Sequence, residues 1–282
     1  MKDQVCLLTG ASSGIGKATA LALAAQGMEL FLLCRNPAKG GQLLADIAKQ
    51  TPNCKATLLI ANLASLADVR RAAQDFLNTG KPLQLLINNA GVMNTERKYS
   101  VDGIDEIFAV NHLAPMLLTE LLRERLVQSA PARIVNLASD AHSFVKGVQF
   151  DDLEFKNTPY KIFKVYGHSK LCNILWTRHL AKLLDGSGVT VNCVHPGAVS
   201  TGLGHQDSVV LSKIVGVLQK LFFRSPVQGA QTSIFVATSA TLDNVSGEYF
   251  ANCKSLRPKP WAEDDAAAER LWTVSQDYLK QN

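Results

Sequence analysis

The chain has 282 residues, 47% of them apolar and 19% charged, which is the balance of a folded globular protein long enough to bury its own core. The formal charge of +5 is modest and its basic residues are scattered, so nucleic-acid binding is unsupported. The six cysteines show no Cys-x-x-Cys pair and several sit in apolar runs, which suits reduced buried thiols and not a disulfide framework. With no secretory signal and no apolar run of membrane-spanning length, the expectation is a soluble, cytoplasmic protein.

Gln4 to Thr9 reads as a buried strand, followed at once by Gly10-Ala11-Ser12-Ser13-Gly14-Ile15-Gly16. A helical pattern then runs through Ala18, Leu21, Ala22 and Ala25 and stops at Gly27. Strand, glycine loop and helix N-terminus are the parts of a phosphate-binding turn: glycines let the backbone approach a pyrophosphate, and the helix start offers free amides. The second strand, Glu29 to Arg35, ends where a dinucleotide fold meets the adenosine ribose. No acidic residue stands between Phe31 and Asn36 to bind the ribose hydroxyls of NAD. Arg35 instead offers a cationic fork suited to a 2′-phosphate, so the cofactor expected is NADP(H). Lys17 reads either as added charge at the same site or as a solvated helix lysine.

The alternation continues with a helix over Gln42 to Lys49, a strand over Lys55 to Ala61 and a helix capped by Ser65 that runs to Leu77. A strand over Leu83 to Ile87 closes at Asn88-Asn89-Ala90-Gly91, and a long helix bearing Asn111 lies within Val101 to Val127. Strands over Arg133 to Leu137 and Thr190 to Val194 end at Ser139 and at His195-Pro196-Gly197. A last short strand ends near Phe250, before an Ala-rich helix from about Glu263 to Tyr278. Regular alternation without a linker predicts one α/β domain over 1–282, a doubly wound parallel sheet (a Rossmann fold) with helices on both faces. Two stretches interrupt it. An insert lies at about 142–158, and 200–225 carries an apolar run over 209–223. That run reads as a lid over an apolar substrate, as a helix touching a membrane surface, or as a helix packed on the domain.

Tyr166 and Lys170 stand four residues apart in a helical apolar rhythm, which places them on one helix face. An ammonium beside a phenol favours phenolate and lowers the tyrosine pKa from its usual value of about 10. Such a phenol can exchange protons near neutral pH. The six histidines form no metal-ligand spacing, so no metal is expected, and His195 reads as a brace for its strand end. No Gly-x-Ser-x-Gly elbow surrounds Ser139, which disfavours a hydrolase.

Thr9-Gly10-Ala11-Ser12-Ser13-Gly14-Ile15-Gly16, Asn88-Asn89-Ala90-Gly91, Asn111, Ser139, Tyr166-x-x-x-Lys170 and Pro196-Gly197, in that order, resemble the short-chain dehydrogenase/reductase family across nearly the whole chain. Cys34-Arg35-Asn36, Val110-Asn111-His112-Leu113, the run from Tyr166 to Leu175 and Arg270-Leu271-Trp272 look like its retinol dehydrogenase branch. So does the interval of 27 residues from Ser139 to Tyr166. The resemblance implies an NADP-dependent oxidoreductase moving hydride between nicotinamide and an apolar aldehyde or ketone, retinal-like or otherwise lipophilic, or the matching alcohol.

By the same resemblance Tyr166 transfers the proton, and Lys170 tunes it and holds the nicotinamide ribose. Ser139 polarises the carbonyl, and Asn111 interrupts its helix and holds a relay water. Gly10, Ser12, Ser13, Gly14, Ile15 and Gly16 would cradle the pyrophosphate. Asn62, Leu63, Asn89, Ala90 and Gly91 would line the adenosine side, and Pro196, Gly197, Val199 and Thr201 would frame the nicotinamide. Asn62 stands where the family usually has Asp, and it keeps a carbonyl acceptor. Pairing of two chains through the Asn111 and Tyr166 helices is implied as well. The apolar N-terminal anchor of many branch members is not seen. Rival functions are a carbon-carbon double-bond reductase of the protochlorophyllide type and a catalytically silent dinucleotide-binding protein.

Overall fold

The computed structural model describes residues 2–197 and 225–281. Its strands are β1 (Val5–Thr9), β2 (Glu29–Cys34), β3 (Ala56–Ile60), β4 (Leu85–Asn88), β5 (Ala132–Leu137), β6 (Val189–His195), β7 (Tyr249–Ala251) and β8 (Lys254–Leu256). All eight join one sheet in the order β3-β2-β1-β4-β5-β6-β7-β8. β1 to β7 pair in parallel, and β8 turns back antiparallel on β7. The order reverses between β1 and β4, the switch point at which an open parallel sheet leaves a crevice beyond its carboxyl ends.

Helices cover both faces, so alternate residues of a central strand divide between two cores. In β1, Cys6 and Leu8 pack with α1 (Gly14–Ala25), α2 (Pro37–Gln50) and a later helix, while Val5 and Leu7 face the opposite layer. That opposite layer holds α3 (Leu66–Asn78), and a short α4 (Glu106–Phe108) that passes through a π-helical turn (Ala109–Leu113) into α5 (Ala114–Gln128). It also holds α6 (Ile162–Leu183). α7 (Pro226–Thr238) is the later helix of the first core, and α8 (Asp265–Gln281) lies on the outer side of α6.

The α8 helix packs along α6. Its Ala268, Leu271 and Leu279 are buried in the same core as Trp176 and Leu180 of α6. Asp265 pairs with Arg178 at 3.0 Å and Lys182 at 2.7 Å, which fixes its first turn. Val165 and every residue from Gly167 to Thr177 are buried within a single chain. Much of the Tyr166 helix is thus covered within one chain by α8 and the sheet.

Other boundaries differ from expectation for local reasons. α2 begins at Pro37 and not near Gln42, because Asn36 accepts the Lys39 amide at 3.0 Å and proline suits the first turn. Its opening residues carry little apolar periodicity, which hid them. Ser65 caps α3 as expected, accepting from the Asp68 amide at 3.2 Å. α7 was not foreseen. A capping box between Ser225 and Gln228 starts it. Ser225 is the last residue of the expected lid; the rest of the lid, its run over 209–223, Val199 and Thr201 lie outside the described residues.

The insert at 142–158 is packed, not loose. Phe155 is buried against Ile107 and Val165. The buried Glu154 carboxylate accepts the Asp105 amide at 2.9 Å and the Tyr278 hydroxyl at 3.0 Å, and His168 accepts the Gln149 amide at 3.0 Å. The insert therefore braces α4, α6 and α8 together. Among the described residues no helix is long and apolar enough to cross a membrane.

Candidate active site

The turn after β1 is built by close approach. Gly10 has φ +66°, which L side chains rarely adopt, and a Cβ on Gly16 would lie 2.2 Å from the Gly10 carbonyl oxygen. The loop is lashed to β4: Asn89 donates through Nδ2 to the carbonyls of Thr9 (2.8 Å) and Gly10 (3.2 Å). Thr9 Oγ1 accepts from the amides of Asn89 and Ala90, each at 3.0 Å. α1 then starts with no side-chain cap and no acidic residue in its first turn, so its first amides are left for an anion. They border a cleft of about 450 Å³ at the carboxyl ends of the strands. The cleft is lined by Gly10, Ser12 to Gly16, Arg35, Asn62, Leu63, Asn89 to Gly91, Tyr166, Lys170 and Pro196, all expected from the sequence.

Arg35 is exposed at the cleft edge and makes no hydrogen bond or ion pair among the described residues. Lys17 does not join it. Its ammonium is bound to Asp46 of α2 at 2.5 Å and does not line the cleft, so of its two readings the structure does not support the cofactor contact. The second cation is Lys39, which sequence reasoning missed. Its signal was the Asn36-Pro37 helix start, which brings Lys39 into the first turn of α2. Asn62 accepts the Ala64 amide on Oδ1 at 3.1 Å, while Asp68 accepts the Asn62 amide at 2.8 Å. The Asn62 carbonyl keeps a second lone pair.

On the other side, Ser139 lies two residues past the end of β5, Asn111 sits in the π-helical turn, and Tyr166 with Lys170 stands on α6. The π turn turns Asn111 toward the loop after β4, where it exchanges two bonds with the Val92 backbone, accepting at 2.7 Å and donating at 3.0 Å. It also donates to Ser169 Oγ at 3.1 Å. Lys170 Nζ donates to the Leu137 carbonyl at 3.0 Å and lies 5.5 Å from the centre of the Tyr166 ring. A Cβ on Gly91 would lie 3.3 Å from Asn111 Oδ1 and 3.4 Å from Lys170 Nζ, so a backbone without a side chain separates the two. His195 accepts the Asp140 and Gly197 amides on Nδ1 at 3.2 Å and 3.3 Å, the strand-end brace read from its position.

The electrostatics depart from expectation. Burial pushes the Tyr166 phenol up to about 12, and a hydrogen bond with Ser139 only partly offsets it. Burial pushes the Lys170 ammonium down to about 8. Lys170 lies 5.5 Å from the ring centre with its ammonium on the Leu137 carbonyl, and burial is the larger influence on the phenol. At neutral pH the arrangement holds a protonated phenol, with a serine hydroxyl bonded to it, beside a cationic lysine.

The family model for short chain dehydrogenases matches residues 4–151, more than half of the chain. The chain belongs to the short-chain dehydrogenase family. It is 42% identical to retinol dehydrogenase 12 of Mus musculus, over 98% of this chain and 86% of that protein. It is 41% identical to retinol dehydrogenase 13 of Homo sapiens, over 95% of this chain and 82% of that one. A crystal structure of an uncharacterised protein from Mycobacterium paratuberculosis superposes with a TM-score of 0.79 at 26% identity, covering 99% of this chain and 94% of that one. These likenesses place this short-chain dehydrogenase in the retinol dehydrogenase branch, as an oxidoreductase of a family that uses a nicotinamide dinucleotide. The residues present fit such a cofactor: the uncapped α1 amides suit a pyrophosphate, and the missing Cβ of Gly16 lets the Gly10 turn fold tightly against the helix start that presents them.

Proposed function

We propose that this enzyme reduces lipophilic aldehydes or ketones with NADPH, or oxidises the matching alcohols with NADP. The observation that carries it is one cleft bordered by the Gly10–Gly16 turn, Arg35 and the Tyr166–Lys170 pair. Arg35 and Lys39 would bind the 2′-phosphate, and among the described residues no carboxylate lines the cleft to favour a bare ribose. Asn62 and Leu63 would line the adenine, Asn89, Ala90 and Gly91 the adenosine side, and Pro196 and Gly197 the nicotinamide. Val199 and Thr201 are assigned there from sequence alone.

The bound nicotinamide supplies or accepts the hydride. In the reducing direction the Tyr166 hydroxyl gives its proton to the carbonyl oxygen as the carbonyl carbon gains the hydride, and an alcohol results. A phenol kept protonated by burial is already in the form this step needs. Ser139, at the strand end beside Tyr166, would hydrogen-bond the carbonyl oxygen and polarise it. Lys170 would hold the nicotinamide ribose and return a proton to Tyr166 through water placed by Asn111. The named relatives support a retinoid or other apolar substrate. The silent dinucleotide-binding alternative has no use for this complete set, and nothing in the geometry favours the double-bond reductase.

Tyr166→Phe tests the assignment. Turnover of retinal or medium-chain aldehydes with NADPH is expected to vanish while NADPH affinity stays near wild type. Full activity in that variant would sink the proposal.

A further inference from the structure

The histidine next to Asn111 has no part in the chemistry above, yet it is buried at 0% exposure in the π-helical turn. Burial holds it neutral, with its pKa pushed down to about 4. Its two ring nitrogens are both engaged. Nε2 lies 2.9 Å from Ser275 Oγ on α8, and Nδ1 lies 3.4 Å from Asn173 Oδ1 on α6. Asn173 Nδ2 donates at 3.2 Å to the Leu137 carbonyl, the same oxygen that receives Lys170 Nζ at 3.0 Å.

The donors can be ordered by elimination. The Asn173 carbonyl only accepts, so His112 carries its proton on Nδ1. His112 Nε2 is then an acceptor, and the Ser275 hydroxyl donates to it. Asn173 uses its amide on Leu137, whose two lone pairs take one N–H from Asn173 and one from Lys170. His112, Asn173, Lys170 and Ser275 are all at most 3% exposed, so water does not compete for these bonds.

We propose that Ser275, His112 and Asn173 form a positioning chain from the C-terminal helix to the active-site lysine, ending at the Leu137 carbonyl. Its purpose is geometric. A carbonyl held by Asn173 presents a fixed lone pair to the Lys170 ammonium, and a flexible four-carbon side chain thereby keeps one position. The chain also gives α8 a role beyond covering α6: a residue more than a hundred positions from Tyr166 in sequence positions Lys170. This rests on the proposed roles of Tyr166 and Lys170.

The test is a mutant cycle with Ser275→Ala and Asn173→Leu. Using NADPH with decanal or retinal, each single variant is expected to lower kcat about tenfold with the KM for NADPH nearly unchanged, the signature of a lost transition-state contact. The double variant should be no worse than the poorer single, because both break one chain. Losses that multiply in the double, an unchanged kcat in Ser275→Ala, or a loss confined to KM would overturn the proposal. A second readout does not need turnover. Nitrogen NMR of His112 should show the Nδ1–H tautomer in the wild type and in Ser275→Ala, and a mixture of tautomers in Asn173→Leu, where the carbonyl that fixes the proton is gone. An Nε2–H wild-type ring would refute the chain whatever the enzyme reduces, whereas the expected tautomer in a protein without carbonyl activity would instead refute the proposed function.

Discussion

Arg35 gives the most direct check on the cofactor. Replacing it with Ala removes the exposed cation at the cleft edge that has no partner among the described residues, so little of the fold should change. A hydrogen bond to a charged group contributes about 1.5–3 kcal/mol. Solvent screening at this exposed position moves the expectation to the low end, about tenfold in affinity. Lys39 shares the cleft edge, so Arg35→Ala should weaken NADPH without abolishing it. Titration of NADPH and NADH by cofactor fluorescence should show NADPH bound about tenfold more weakly and NADH nearly unaffected, with the NADPH deficit shrinking as salt rises. Lys17→Ala is the control, since its ammonium is already bound to Asp46 and should not touch either affinity. Equal losses for both cofactors, or a loss from Lys17 and none from Arg35, would refute the 2′-phosphate assignment.

Two further outcomes follow from the packing. Asp105 caps α4 but is almost wholly buried, with Glu154 near, and burial pushes its carboxyl up to about 6 from an ordinary value of 3.8. A raised acid pKa means the fold holds the proton more tightly than the unfolded chain, so stability from this group is complete below about 3.8 and lost as pH rises through 6. The loss approaches about 3 kcal/mol above pH 7. Asp105→Asn should therefore raise the denaturant midpoint at pH 8 much more than at pH 4, and an equal change at both would refute it. Separately, with the Tyr166 helix covered by α8, light scattering at micromolar concentration should give the mass of one chain; a stable dimer lost on mutating exposed residues of α6 would show that α8 does not block pairing.

The sequence was most legible where one residue type does one local job. Gly10 and Gly16 are there because a Cβ will not fit, and Ser65 announces a cap, so the turn after β1 and the start of α3 read directly. Tyr166 and Lys170 read from helical spacing. Their electrostatics did not, because the spacing fixes a shared face but not burial, and burial outweighs the lysine's charge here. Lys17 stayed open and Lys39 was missed for a similar reason: only the path of α2 shows that Asp46 takes the first and that the second lines the cleft. The insert and α8 carried weak periodicity because their work is done by single buried contacts such as Glu154 and Ser275, made with residues distant in the chain.

The opposite shifts of Tyr166 and Lys170 set the pH behaviour of the proposed reaction. With the phenol near 12 and the ammonium near 8, Lys170 is the first of the two to lose its proton as pH rises. Carbonyl reduction should then decline above about pH 8, while Tyr166 still carries the proton it must donate. Unfolding does not explain such a decline through this group. A lysine whose folded pKa lies below its unfolded value of 10.5 binds fewer protons in the fold, so its contribution to stability grows as pH rises from 8 toward 10.5. Activity and stability should therefore move in opposite directions across that interval. Lys170→Arg keeps its charge throughout, and in that variant the basic limb of the reduction profile should move upward even if the rate is lower. A limb that stays near pH 8 with arginine in place would assign it to another group and remove Lys170 from the proton path.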